Sequence, residues 1–256
     1  MNLLKFSCFL FYSNNIIRKF SNKIRLFTKK SKDVIIQNNN EKEYQSIGLN
    51  QKEYKSSLFN PNINLVICNG PAGTGKTLFA CQYAISSLQK KAVDKIIITR
   101  PTISIEEDMG FLPGDINSKM FPFTIPIFDI FYEFYNKKEV DSMVQNNIIE
   151  IAPLGFMQGR TFKKSIVVAD EMQNSTPNQM KMLLTRIGTE SKMIITGDLE
   201  QTNNEKNGLN DVINKIVDNY SSRIDMNNDG IDLLSLTSTD IHRSEIVKVI
   251  NKLYKN

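Results

Sequence analysis

The chain has 256 residues, 41% hydrophobic and 23% charged, enough for one α/β domain with a full core. No apolar run is long enough to cross a bilayer, and Cys8, Cys68 and Cys81 offer neither zinc-ligand spacing nor a disulfide framework. Net charge is +5, but residues 1–32 carry eight basic groups and no acid, so the other 24 basic and 27 acidic groups sum to −3; this excludes a globally basic nucleic-acid-binding body and leaves only a local patch.

In chain order, residues 1–32 read as a basic, targeting-like segment. Ile16, Phe20, Ile24 and Phe27 fall on one helical face, with Arg18 and Arg25 nearly opposite. This is the pattern of organellar presequences, and a mitochondrion is expected ahead of a plastid. Residues 33–45 are polar and Asn-rich, and read as a linker. The domain proper is expected over 46–256. The apolar run Leu65-Val66-Ile67-Cys68 reads as a buried strand, and a helix is expected from Lys76 to about Gln89. Further strands are expected at 95–99, 148–152, 165–169, 192–196 and 231–236. Thr176-Pro177-Asn178-Gln179 combines an N-cap, a proline at the first helical position and a capping-box glutamine. It predicts a helix to about Ile187, stopped by Gly188. Helices at 208–218 and 244–253 complete the alternation, which predicts parallel strands joined by right-handed crossovers.

The strand at 65–69 runs into Gly70-Pro71-Ala72-Gly73-Thr74-Gly75-Lys76-Thr77, a full match to the phosphate-binding pattern Gly-x-x-x-x-Gly-Lys-[Ser/Thr]. Glycines let backbone N–H groups wrap around crowded phosphate oxygens, and the helix that follows turns its positive end toward them. Lys76 supplies a mobile charge for the β- and γ-phosphates, and Thr77 a hydroxyl for Mg²⁺. These residues point to a bound nucleoside triphosphate with Mg²⁺. Asp170-Glu171 closes another apolar strand in the Walker B arrangement. Asp170 is expected to hold the metal, and Glu171 to polarise the attacking water. Asp198 and Gln201, after the strand at 192–196, are expected to reach the same edge and either sense the γ-phosphate or position its water.

Phosphoryl transfer also needs a positive charge on the γ-phosphate. Arg100, Arg160, Arg186 and Arg243 are the candidates, with Arg243 first because it follows the last strand. His242 alone cannot make a metal site. The aromatic stretch Phe121, Phe123, Phe128, Phe131, Tyr132, Phe134 and Tyr135 could stack bases, but its spacing is that of a core-facing helical stripe.

From about Gly48 to the C-terminus the chain resembles the PhoH family of P-loop ATPases, which are related to superfamily-one helicases. The resemblance is carried by Leu49-Asn50-Gln51 with Tyr54, the phosphate loop, and Thr99-Arg100-Pro101. It is also carried by Glu107-Asp108-Met109-Gly110-Phe111-Leu112-Pro113-Gly114-Asp115, Gly159-Arg160-Thr161-Phe162, Asp170-Glu171-Met172-Gln173-Asn174, Leu184-Thr185-Arg186-Ile187-Gly188, and Gly197-Asp198 with Gln201. It implies a P-loop NTPase fold, a RecA-like parallel sheet with helices on both faces. It also implies ATP binding and hydrolysis, RNA or single-stranded nucleic acid as partner, and ring-like homo-oligomers. Gln51 stands where helicase-like ATPases place an adenine-contacting glutamine. Gln158 and Asn203 depart from the arginine and aspartate usual at those positions. A P-loop kinase is disfavoured by Glu171, because a kinase gains nothing from activating water. The remaining alternative is an ATP-gated switch for a protein partner, since one core domain lacks a second motor lobe.

Overall fold

Three or four consecutive apolar residues make a short strand that is buried on both faces, and this chain has several such runs: Leu65–Cys68, Ile96–Ile98, Ile166–Ala169 and Met193–Ile195. The structure, a computed structural model, describes residues 44–101, 116–202 and 206–241, with Ile246 and Leu253. The targeting-like segment, the 102–115 run, Asn203, His242, Arg243 and nearly all of the helix expected at 244–253 lie outside the described residues. Residues 46–241 belong to one compact unit. The strands are β1 (Leu65–Asn69), β2 (Lys95–Thr99), β3 (Ile149–Ile151), β4 (Ser165–Ala169), β5 (Lys192–Gly197) and β6 (Ile231–Ser235). The helices are α1 (Leu49–Phe59), α2 (Lys76–Gln89), α3 (Ile116–Phe134), α4 (Lys137–Gln145), α5 (Pro177–Leu184), α6 (Gly208–Asn219) and α7 (Arg223–Asn228).

The strands form one parallel sheet in the order β3-β2-β4-β5-β1-β6. Side chains alternate between its faces. On one face Ile67, Ile97, Val167, Met193 and Ile195 pack with Met180 and Leu183 of α5 and Leu209, Val212 and Ile216 of α6. The intervening Val66, Cys68, Ile96, Ile98, Val168 and Ile194 are equally buried. They face the other side, where α2 lies against β2, β4 and β5. The α/β fold with a parallel sheet covered on both faces is therefore present. Among the described residues no helix is long and apolar enough to cross a membrane.

Local chemistry sets the element ends. The Thr176 hydroxyl accepts from the Gln179 backbone N–H at 3.2 Å and the Gln179 side-chain Oε1 accepts from the Thr176 N–H at 2.9 Å, which closes the expected capping box. The helix stops at Leu184 rather than Ile187. Arg186 N–H turns back to the Leu183 carbonyl, and Gly188 N–H pairs with the Phe162 carbonyl instead of continuing the helix. α7 is too short to show a period and is anchored by Arg223. That guanidinium donates to both oxygens of buried Asp232 at 2.8 and 2.9 Å and to Glu53 at 2.8 Å, tying α7 to β6 and α1. The aromatic stretch, apart from Tyr135, falls on α3, where Ile127, Phe128 and Phe131 are buried, so at these positions the core stripe is the arrangement found.

At the opening of β5 the buried Lys192 ammonium donates to Leu58 O at 2.6 Å, Asn60 O at 2.8 Å and Ser57 O at 3.4 Å, closing the C-terminal end of α1. It also sits 4.9 Å from the centre of the Tyr83 ring. Burial pushes its pKa down to about 8. The unfolded chain keeps that proton to about 10.4. Between these values the unfolded state binds more protons, so the Lys192 contribution to stability improves as pH rises through 8. Denaturant unfolding of wild type and Lys192→Met from pH 7.5 to 9.5 should show wild type gaining stability relative to the variant; a constant difference would contradict this.

Candidate active site

The strand order puts β4, β5 and β1 side by side, so three chain segments emerge together at their C-terminal ends. These are Asp170-Glu171 after β4, Asp198 after β5 and the phosphate loop after β1. In parallel α/β sheets this edge is where ligands bind. The loop is tied to the neighbouring segment at its start, where Gly70 N–H donates to Gly197 O at 3.1 Å. Gly75 closes the loop at φ +91, the left-handed region, and a Cβ there would lie 2.9 Å from the Phe79 ring. A side chain at this position is therefore disfavoured both by conformation and by contact. α2 starts at the next residue, so its unsatisfied N–H groups and positive end face the loop.

α1 braces the loop from outside. The Tyr54 hydroxyl, fully buried, donates to Lys76 O at 3.1 Å, and burial pushes its pKa well above the ordinary value. Gln51 Nε2 donates to Thr74 O at 3.0 Å and Asp240 O at 3.2 Å, while its Oε1 accepts from Ile47 N at 2.9 Å and Gly48 N at 3.4 Å. A primary amide offers two donors and two acceptor sites. All four are engaged within the chain, so an adenine contact by Gln51 requires one of these bonds to exchange. Lys76 Nζ donates across the loop to Gly70 O at 2.5 Å and Pro71 O at 2.9 Å.

The metal-type ligands meet at Asp170, which is 2% exposed. Its Oδ1 accepts from the Thr77 hydroxyl at 2.9 Å and the Thr196 hydroxyl at 2.5 Å. Its Oδ2 accepts from Arg100 Nε at 3.1 Å and from Arg100 Nη2. A hydroxyl and a carboxylate in contact are hard oxygen donors, and they suit Mg²⁺. Glu171 has a left-handed backbone, φ 56, uncommon for a residue with a side chain. Its Oε2 accepts from Gln173 Nε2 at 2.6 Å, and Gln173 Oε1 accepts from the Asp198 N–H at 3.1 Å.

The structure thus brings Gln51, Thr74, Lys76, Thr77, Asp170, Glu171 and Asp198 to one edge. The Asp198 carboxylate caps its own turn, accepting from Glu200 N at 3.0 Å, and Gln201 is exposed at the end of that turn. Of the candidate arginines, Arg100 is the one described at the site. Arg160 pairs with Glu150 at 2.5 Å and lies over the Phe162 ring. Arg186 donates to Met182 O at 3.1 Å and Arg160 O at 3.2 Å. Arg243 is outside the described residues. Sequence reasoning assigned no role to Thr196 or Gln173. Thr196 is signalled only by being the last side chain of β5 before Gly197, and Gln173 by following Glu171 by two residues.

Comparison with known proteins adds a family. Residues 44–255 match the family described as PhoH-like protein. A PhoH-like protein of Bacillus subtilis (strain 168) is 37% identical over 236 residues, covering 91% of this chain and 70% of its own length. A PhoH-like protein of Synechocystis sp. is 38% identical over 208 residues, covering 80% of this chain and 60% of its own. The chain thus spans 60% and 70% of the length of these two relatives. Among solved structures, the Sulfolobus solfataricus SWI2/SNF2 ATPase core in complex with dsDNA is similar at 10% identity and a TM-score of 0.44, covering 79% of this chain and 46% of that one.

Thr196→Val keeps the shape of the side chain but leaves Asp170 Oδ1 with one hydroxyl donor fewer. A lost buried bond to a carboxylate costs about 1–3 kcal/mol. The expected outcome is a lower thermal midpoint and a shifted Mg²⁺ requirement for nucleotide binding; identical values for both would contradict a role for this hydroxyl at Asp170.

Proposed function

The chain belongs to the PhoH-like protein family, and from that premise we propose that it binds ATP with Mg²⁺ at this edge and hydrolyses it, coupling hydrolysis to remodelling of RNA or single-stranded nucleic acid. The observation that carries the reading is the contact of the Thr77 hydroxyl with the Asp170 carboxylate at 2.9 Å, with the phosphate loop on one side and Glu171 on the other. A nucleotide gives Lys76 better acceptors than Gly70 O and Pro71 O, so the ammonium turns to the β- and γ-phosphates. Thr77 and Asp170 would hold the metal. When bound, Mg²⁺ neutralises charge that develops on the phosphoryl oxygens. Glu171, fixed at Oε2 by Gln173, takes the proton of the attacking water at Oε1 as that water's oxygen bonds to the γ-phosphorus and the bond to the β-phosphate oxygen breaks.

Glu171→Gln removes the base and keeps the metal ligand. It should bind ATP as wild type does and lose hydrolysis by on the order of 10² or more. A loss of only a few-fold would remove Glu171 as the base. The same assay, repeated with a panel of RNA and DNA, tests the coupling. Stimulation by single strands is expected; indifference to every nucleic acid would favour the ATP-gated switch.

The γ-phosphate at an open sheet edge also invites cover from a neighbouring subunit in a homo-oligomeric ring, and Arg243 is proposed as the finger. Arg243→Ala should lose most hydrolysis, on the order of 10³, while ATP still binds. Mixing it with Lys76→Ala in shared oligomers should restore activity if the arginine acts in trans. Full activity of Arg243→Ala alone would remove it from the mechanism.

A further inference from the structure

A buried primary amide is costly unless both its ends are bonded, so where its two ends go is informative. Gln173 is 2% exposed. Its N–H end is spent on Glu171 Oε2 at 2.6 Å, a short, charge-assisted bond. Its C=O end is spent on the backbone N–H of Asp198 at 3.1 Å. These partners sit on different strand ends, Glu171 after β4 and Asp198 after β5. The approach is close because residue 197 is glycine. A Cβ there would lie 2.8 Å from Gln173 Oε1 and 3.2 Å from Gln173 N, and the displaced amide could not keep both bonds. The Asp198 segment is itself fixed from the loop side, since Leu199 N–H donates to Asn69 Oδ1 at 3.1 Å and Gly70 N–H to Gly197 O at 3.1 Å.

We propose that Gln173 is the positioning residue of the hydrolytic step: one buried amide holds the Glu171 carboxylate in register with the β5 strand end that meets the phosphate loop. The inference rests on the reading of Glu171 as the base. Its physical content is a fixed lever. Glu171 needs one oxygen tethered so that the other is aimed at water, and its left-handed backbone puts the side chain within reach of Gln173 two residues on. Because the tether's far end is a backbone N–H at the end of β5, a shift of the Gly197-Asp198 segment moves the carboxylate with it. Gln173 touches neither phosphate nor metal in this scheme, so it acts on turnover and not on ATP affinity.

Two variants of the full chain test this at pH 8. Gln173→Met keeps the unbranched shape and loses both bonds. Gln173→Glu keeps the acceptor for the Asp198 N–H and puts a carboxylate where Glu171 needs a donor. Steady-state kcat, affinity for a fluorescent N-methylanthraniloyl ATP, and thermal midpoint are measured for both, beside Glu171→Gln. The expected result is a loss in kcat on the order of tenfold to a hundredfold in each variant, with ATP affinity changed less than about twofold. Should Gln173→Met fail to fold, Gln173→Glu alone decides. Wild-type kcat in a folded variant, or a loss that follows ATP affinity and thermal midpoint instead of kcat, overturns the proposal. If these results come with an inactive Glu171→Gln, the proposal falls and the base assignment stands. If Glu171→Gln itself turns over at the wild-type rate, both fall.

Discussion

A carboxylate that is 2% exposed has lost nearly all of its water and needs donors from the protein in its place. Asp170 is that carboxylate, and the centre of the molecule is arranged to satisfy it. Its donors come from three separate segments: Thr77 from the first turn of α2, Thr196 from β5 and Arg100 from the end of β2. No two are near in sequence. They meet because β2, β4, β5 and β1 are consecutive in the sheet and all run the same way. Parallel strands bring unlike chain segments to one edge, and that makes a buried acid affordable there.

The loop that faces Asp170 is held in the same manner, by bonds to segments remote in sequence. Gln51 and Tyr54 of α1 grip the carbonyls of Thr74 and Lys76, and Gly197 O receives the Gly70 N–H. α1 is in turn pinned at its far end by Lys192 and along its side by Arg223 through Glu53. A helix outside the sheet thereby becomes part of the phosphate-binding apparatus without presenting a group to the phosphate. The cysteines that flank the loop, Cys68 and Cys81, are fully buried, and burial pushes both thiols up, so they serve as packing and not as nucleophiles.

What could be read from the sequence was what has a local signature. β1, β2 and β4 and the start of α2 follow from apolar runs and from the phosphate-loop pattern. The α5 start follows from its capping box. The C-terminal limit of α5 was misplaced by three residues because a tertiary bond, Gly188 N–H to Phe162 O, decides it. α7 was missed because six residues carry no periodicity. At the site, residue types were legible and their pairings were not. The sequence marks Arg100 as one of four candidate arginines, behind Arg243; only the register of β2 beside β4 puts it on Asp170. Gln51 is legible as a glutamine at a suggestive distance, but the four bonds that engage its amide come from residues as far away as Asp240. Thr196 lies in no motif and Gln173 lies in one that gives it no role, and the roles of both exist only once β4 and β5 are adjacent.

Proposed at Asp170 is one metal-dependent nucleotide site built from three strand ends. It is tested most directly by calorimetric titration of the full chain with a non-hydrolysable ATP analogue, once with Mg²⁺ and once with the cation chelated. One site per chain is expected, weakened on the order of tenfold or more without the cation, because Thr77 and Asp170 then have nothing to hold against the phosphates. Absence of binding, or equal affinity with and without Mg²⁺, would contradict it.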